Sequence, residues 1–99
     1  MKKLTKKIKQ WAIDKGLDSA DPNRQFIKLS EEVGELAQGL IKNRQWQIED
    51  SIGDVYVVLV VLSMQLGLDI EYCIAEAYEE IKDRKGKMVN GTFVKESDL

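Results

Sequence analysis

Apolar residues recur along most of this chain at alternating steps of three and four, the spacing that builds one face of an α-helix. Phe26, Leu29, Val33, Leu36 and Leu40 form one stripe, and Ile48, Ile52, Val55, Leu59, Leu62 and Leu66 another. Leu4, Ile8 and Trp11 form a shorter one near the start, and Ile70, Cys73, Ile74, Ala77, Tyr78 and Ile81 a last one. Asp21 before Pro22 reads as an N-cap followed by proline at the first helical position, and Asp69 as a second N-cap. Gly16, Gly67 and Gly86 fall where helix C-caps are expected. The pattern predicts four helices, running from about Lys2 to Lys15, Pro22 to Lys42, Gln45 to Leu66, and from after Asp69 to about Lys85.

The β-branched run from Val55 to Leu62 would read, in isolation, as a buried strand. Helical periodicity continues on both sides of it, and a lone strand would have nothing to pair with, so helix is the reading chosen. Apolar on all sides, this helix belongs at the centre of a bundle or in a subunit interface. From Lys87 to Leu99 the helical rhythm is lost, and Asn90-Gly91 between Met88-Val89 and Thr92-Phe93-Val94 is a hairpin signal. The expectation is an all-α, four-helix bundle with a short irregular or hairpin-like tail, residues 1–99 forming one domain.

Composition narrows the chemistry. A chain with 43% hydrophobic and 32% charged residues is globular in type, and its formal net charge of −2 argues against a nucleic-acid-binding surface. The apolar run from Val55 to Leu62 is too short to span a bilayer, so no membrane partner is expected. Cys73 is the sole cysteine and reads as a small inert apolar residue; with no disulfide and no secretory leader, a cytoplasmic setting is expected. The chain has no histidine, which removes imidazole bases and the usual zinc and di-iron sites. Any metal would be held mainly by oxygen, which favours Mg²⁺, Mn²⁺ or Ca²⁺.

The acids are not scattered. On the predicted second helix, Glu31, Glu32 and Glu35 fall within an arc of roughly 100°, beside the apolar stripe, with Lys28 one turn earlier in the same arc. On the third, Asp50 and Asp54 share a face that continues through Val58 and Val61, so Asp54 is aimed into apolar surroundings. Acids on a helix are ordinarily its solvated face. Against that, two like-charged pairs at i, i+4 are unfavourable on a bare helix, and a buried carboxylate without a partner is costly. A divalent cation shared by the two helices would relieve both. Gly34 and Gly53 sit among these acids, where mid-helix glycine is disfavoured unless helices approach closely or a ligand needs room.

The segment Lys28-Leu29-Ser30-Glu31-Glu32-Val33-Gly34-Glu35-Leu36-Ala37, followed by Ser51-Ile52-Gly53-Asp54-Val55, resembles the MazG-like branch of the all-α nucleotide pyrophosphohydrolases. That family carries E-x-x-E on one helix and E-x-x-D on the next, and the likeness covers roughly Phe26 to Lys85. The resemblance implies a short single-domain form that assembles as a homodimer or homotetramer, with its site near subunit contacts. It implies Mg²⁺, or Mn²⁺, held by Glu32, Glu35 and Asp54. Glu31 would bind a second ion or orient water. The first acid of E-x-x-D falls on Ser51, and Asp50, on the same face as Asp54, is the candidate replacement.

The activity implied is hydrolysis of a nucleoside triphosphate to monophosphate and pyrophosphate. The metal would bridge acids and polyphosphate and acidify water, while Glu32 or Glu35 accepts the proton. Lys28, and Lys82, Arg84 and Lys85 at the end of the fourth helix, are candidates to meet phosphates, though the last three also suit a helix C-terminus. The lysines of the first helix read as a solvated face. Trp46, near the acids in sequence, is the candidate to stack on a base, whereas Trp11 reads as core. The competing reading is a non-enzymatic helical oligomerisation or adaptor module; a basic-helix nucleic-acid binder is weaker.

Overall fold

The computed structural model describes residues 2–99. Among these, the α-helices are α1 (Lys2–Asp14), α2 (Pro22–Ile41), α3 (Gln45–Gln65) and α4 (Ile70–Ile81). A 3₁₀ turn, Leu17–Ser19, joins α1 to α2, and the chain closes with strands β1 (Gly86–Val89) and β2 (Thr92–Lys95) and a final 3₁₀ turn. The fold is all-α, 73% helical, with a two-stranded hairpin tail.

Local chemistry explains the boundaries. The Asp21 carboxylate accepts from the Asn23 N–H at 2.9 Å and starts α2, with Pro22 at its first position. Asn43 ends α2 in the left-handed region at φ 52°, the Arg44 N–H reaching back to the Gly39 carbonyl at 3.0 Å. Gly67, at φ 71°, ends α3 the same way: its N–H donates to the Met64 carbonyl and that of Leu68 to the Ser63 carbonyl. Asp69 caps α4 through the Glu71 N–H and pairs with Lys9 of α1 at 3.1 Å. In the tail, Asn90 and Gly91 both take positive φ, the turn that matches strand twist, and Met88 faces Phe93 across the pair.

Helix α4 stops at Ile81, short of the Lys85 predicted from the sequence. The Lys85 carbonyl accepts from the Glu96 N–H at 2.7 Å, extending the hairpin ladder, so this backbone is committed to the tail. Lys82, Arg84 and Lys85 therefore lie beyond the helix rather than on its last turn.

Helix α3 is the hub, packed against α2, α1, the first 3₁₀ turn and α4. From Asp54 to Gln65 every residue of α3 is buried or half-buried, as suits the central helix of a bundle, whereas the apolar stripes of α2 and α3 are covered only in part. On α2 the covered positions are Gln25, Leu29, Glu32, Leu36 and Gly39, while Phe26, Val33 and Leu40 are exposed. On α3 they include Gln47, Ser51, Asp54, Val58, Val61 and Gln65, while Ile52 and Leu66 are exposed. Relative to the Phe26/Val33/Leu40 line, α2 is turned by roughly 80° about its axis. The seam between α2 and α3 is thus polar in large part. Gln47 holds it, donating to the Glu35 carbonyl at 2.8 Å and to Gln38 at 3.1 Å. The fully apolar core is small: Ala12, Val58, Val60, Val61 and Ile70. Thr5 and Tyr56, 2.6 Å apart through their hydroxyls, pin α1 to α3.

The close approach of α2 and α3 falls at Gly39, not at Gly34 or Gly53. A Cβ at Gly39 would sit 3.3 Å from Gln47 Cγ and from Ile48 Cγ1, whereas at the other two it would meet nothing within 4 Å. Gly39→Val should therefore cost about 1–3 kcal/mol through overpacking. Gly53→Ala should cost nothing and gain up to about 1 kcal/mol from helix propensity. Urea unfolding of both variants checks the contrast.

Candidate functional site

The turned seam brings acids from two helices together. Glu32 and Glu35 of α2 and Asp54 of α3 each offer a carboxylate oxygen within 4.8 Å of the others. Glu32 is 5% exposed, Asp54 is half-buried and Glu35 is open to solvent. Glu31 is exposed and outside that trio; Asp50, also exposed, stands close enough for its charge to act on Asp54. Ser51, in place of the family's usual acid, is buried with a hydroxyl that finds no partner.

The electrostatics are those of an incomplete charge set. Lys28 donates to Glu32 Oε1 at 3.3 Å, and this bond with the Glu32 charge holds the Lys28 ammonium above its ordinary pKa. The other oxygen, Glu32 Oε2, is buried with no hydrogen-bond partner. Asp54 is pushed above the usual carboxylate range, first by burial, then by the charges of Asp50 and Glu32. Two ionised carboxylates cannot share a hydrogen bond, so this approach is satisfied only by a proton or a cation. The orphaned oxygen and the all-oxygen donor set fit a hard divalent ion.

Glu32 and Asp54 open onto a cavity of about 570 Å³, whose lining does not include Glu35. Its wall contains Trp11 of α1, Leu17 and Ala20 near the 3₁₀ turn, and Arg24, Gln25 and Lys28 of α2. Along α3 it contains Asp54, Val57, Val58, Val61 and Gln65. Trp11 is not core: it is 47% exposed and lines this cavity. Trp46, 68% exposed, is not among the lining residues, nor are Lys82, Arg84 and Lys85. Lys82 and Arg84 instead pair with Glu79 at 2.8 Å and Glu80 at 3.5 Å. Sequence reasoning missed Arg24, Gln25 and Gln65. The first two precede Lys28 by one turn and so could have been found from its face; Gln65 is distant and gave no local signal.

Residues 22–89 match the family of the MazG nucleotide pyrophosphohydrolase domain. A curated relative, an uncharacterized 18.2 kDa protein in the rep-hol intergenic region of Haemophilus phage HP1 (strain HP1c1), is 49% identical over 70 residues. The match covers 70% of this chain and 43% of that relative. No solved structure matches.

The raised affinity of Asp54 for a proton has a thermodynamic consequence. Its folded-state pKa lies above the unfolded one, so the contribution is present at low pH and lost as pH rises through the folded value. The metal-free protein should therefore gain stability from Asp54 as pH falls from neutrality toward the ordinary aspartate range. Asp54→Asn should raise the melting temperature at pH 7 in EDTA and reduce this acid-side gain. Thermal melts of both proteins between neutral and mildly acidic pH check it.

Proposed function

The chain belongs to the MazG nucleotide pyrophosphohydrolase domain family, and from that premise we propose that it hydrolyses nucleoside triphosphates, ribo- or deoxyribo-, to the monophosphate and pyrophosphate in a Mg²⁺-dependent reaction. The observation that carries the reading is the meeting of Glu32, Glu35 and Asp54, from two helices, with Glu32 and Asp54 on the wall of a cavity large enough for a nucleotide. A triphosphate is itself a polyanion and acids alone would repel it. Glu32, Glu35 and Asp54 would hold the ion, with Asp50 and Glu31 beside them, and Mn²⁺ suits the same donors. When bound, the divalent ion supplies the positive charge that links acids to phosphates and makes water more acidic.

The chain's own residues do the rest. Glu35, the most exposed of the three, accepts the proton of the attacking water while the α–β phosphoanhydride bond breaks and pyrophosphate leaves. Glu32 is paired with Lys28 through one oxygen, and its second oxygen, buried without a partner, remains available to the ion. Lys28 and Arg24, one turn apart on the cavity wall, meet phosphate oxygens. With no histidine in the chain, a carboxylate is the available base near neutral pH.

The reading is tested by incubating the protein with a panel of ribo- and deoxynucleoside triphosphates, in Mg²⁺ and in EDTA. Pyrophosphate and orthophosphate release are scored separately. Pyrophosphate should appear only with the metal, and Glu32→Gln, Glu35→Gln and Asp54→Asn should each lower turnover by about 100-fold or more. A folded, metal-loaded protein that releases nothing from any nucleotide would refute the reading and favour the adaptor.

The working form is a homo-oligomer, dimer or tetramer. The accessible surface is 7617 Å², where a compact monomer of this mass has about 5,700 Å². The radius of gyration is 16.3 Å, against about 13 Å for a compact chain of this length. The surplus of roughly 1,900 Å² per protomer is of the size that permanent interfaces bury. Phe26, Val33 and Leu40 on α2, Ile52 on α3 and Ile74, Tyr78 and Ile81 on α4 supply the apolar surface. Light scattering after size exclusion should give a mass of at least two chains; a monomer at micromolar concentration would overturn this part.

A further inference from the structure

The α2 wall of the cavity carries two cations in different circumstances. Lys28 and Arg24 lie one turn apart, and both line the cavity. Lys28 reaches Glu32 Oε1 at 3.3 Å, and the charges of Glu31 and Glu35 act on it as well. Arg24 makes no ion pair among the described residues.

The two members of the Lys28–Glu32 pair depend on it unequally. The lysine precedes the glutamate by four residues, the weaker of the two orientations on a helix. The Lys28 side chain is 55% exposed, whereas that of Glu32 is 7% exposed. Release of Lys28 therefore returns an already solvated ammonium to water at little cost. The buried carboxylate is the member that needs a cation beside it. A divalent ion carries the larger charge, and Glu32 Oε2, buried without a partner, offers it a ligand atom.

Lys28 and such an ion thus draw on the same carboxylate. While paired, Lys28 offsets part of the charge that attracts the ion, and its own charge opposes the ion's approach. With Glu32 engaged by an ion, the ammonium is repelled from the acids. The wall on which it lies, shared with Arg24, faces the space proposed above for the phosphates. We infer that Lys28 is an exchangeable counter-charge that passes from Glu32 to the polyphosphate, weakening binding of the bare ion and strengthening binding of the polyphosphate once the ion is in place. The exchange rests on the pyrophosphohydrolase reading, since it takes Glu32 as an ion ligand and the cavity as the phosphate site. Its consequence is a linkage in which ion and polyphosphate load together rather than the ion alone.

Calorimetric titration of the full chain with Mn²⁺ alone, and then with inorganic tripolyphosphate in saturating Mn²⁺, tests the exchange apart from hydrolysis. Lys28→Met should bind Mn²⁺ about fivefold more tightly than the wild type. It should bind tripolyphosphate about tenfold more weakly. Lys28→Gln keeps an N–H for Glu32 but no charge; it should shift both affinities in the same directions, and it serves should Lys28→Met unfold. Arg24→Met should weaken tripolyphosphate while changing Mn²⁺ affinity by less than about twofold, since Arg24 pairs with no acid. A purely structural Lys28 would weaken both ligands together. Mn²⁺ binding that is unchanged or weaker in the folded Lys28 variants, or tripolyphosphate binding that does not fall, would overturn the inference. Mn²⁺ that fails to bind the wild type removes the ion site and the hydrolytic reading with it. Metal-dependent pyrophosphate release with an Mn²⁺ affinity indifferent to Lys28 sinks the exchange alone.

Discussion

The approach of Glu32 to Asp54 across the α2–α3 seam is the constraint on which the rest of the structure turns. Two carboxylates with limited access to water repel each other and lose solvation together. Burial of Glu32 is compensated in part by Lys28, which reaches one of its oxygens and not the other. An arrangement that is costly for the empty fold is well suited to a cation. The same reasoning explains why the acids occupy rigid helices: their relative position is set by the Gln47 hydrogen bonds and the close contact at Gly39, not by loops.

Burying the acids dictates how both helices are rotated. To point Glu32 at α3, helix α2 gives up the arrangement that would bury Phe26, Val33 and Leu40. Helix α3 likewise presents Gln47, Ser51 and Asp54 along the seam and leaves Ile52 outside. The apolar line of Phe26, Val33 and Leu40 left on the surface at helical spacing is what the proposal of a homo-oligomer rests on. The burial of Glu32 and the exposure of Phe26, Val33 and Leu40 are therefore two consequences of one rotation.

Around this seam the remaining elements act as walls and anchors. Helix α1, pinned by Thr5 to Tyr56 and by Lys9 to Asp69, brings Trp11 to the cavity. The 3₁₀ turn after it supplies the Leu17 carbonyl that orients Gln65. The hairpin makes a ladder of its own, in which a Cβ at Gly86 would meet the Val94 carbonyl oxygen and come within 2.6 Å of the Phe93 ring.

Much of this was legible in the sequence because it is local. Helix periodicity, the Asp21-Pro22 and Asp69 caps, the left-handed Gly16 and Gly67 and the Asn90-Gly91 turn each depend on a few neighbouring residues, whereas Gly86, expected as a third C-cap, lies in β1. The acids of α2 and α3 were legible for the same reason, since residues three and four apart share a helix face. What only the tertiary structure decided is which face turns inward. Periodicity selects the most apolar stripe, whereas the packing of α2 covers only its Leu29 and Leu36 edge, together with Glu32 and Gly39, and leaves Phe26, Val33 and Leu40 outside. It also decided what lines the cavity. Trp11 and Gln65 reach the acids' surroundings through α1, a 3₁₀ turn and three turns of α3, and no spacing rule links residues 54 apart. The end of α4 was set by the tail's ladder, a competition that a helix pattern read alone does not contain.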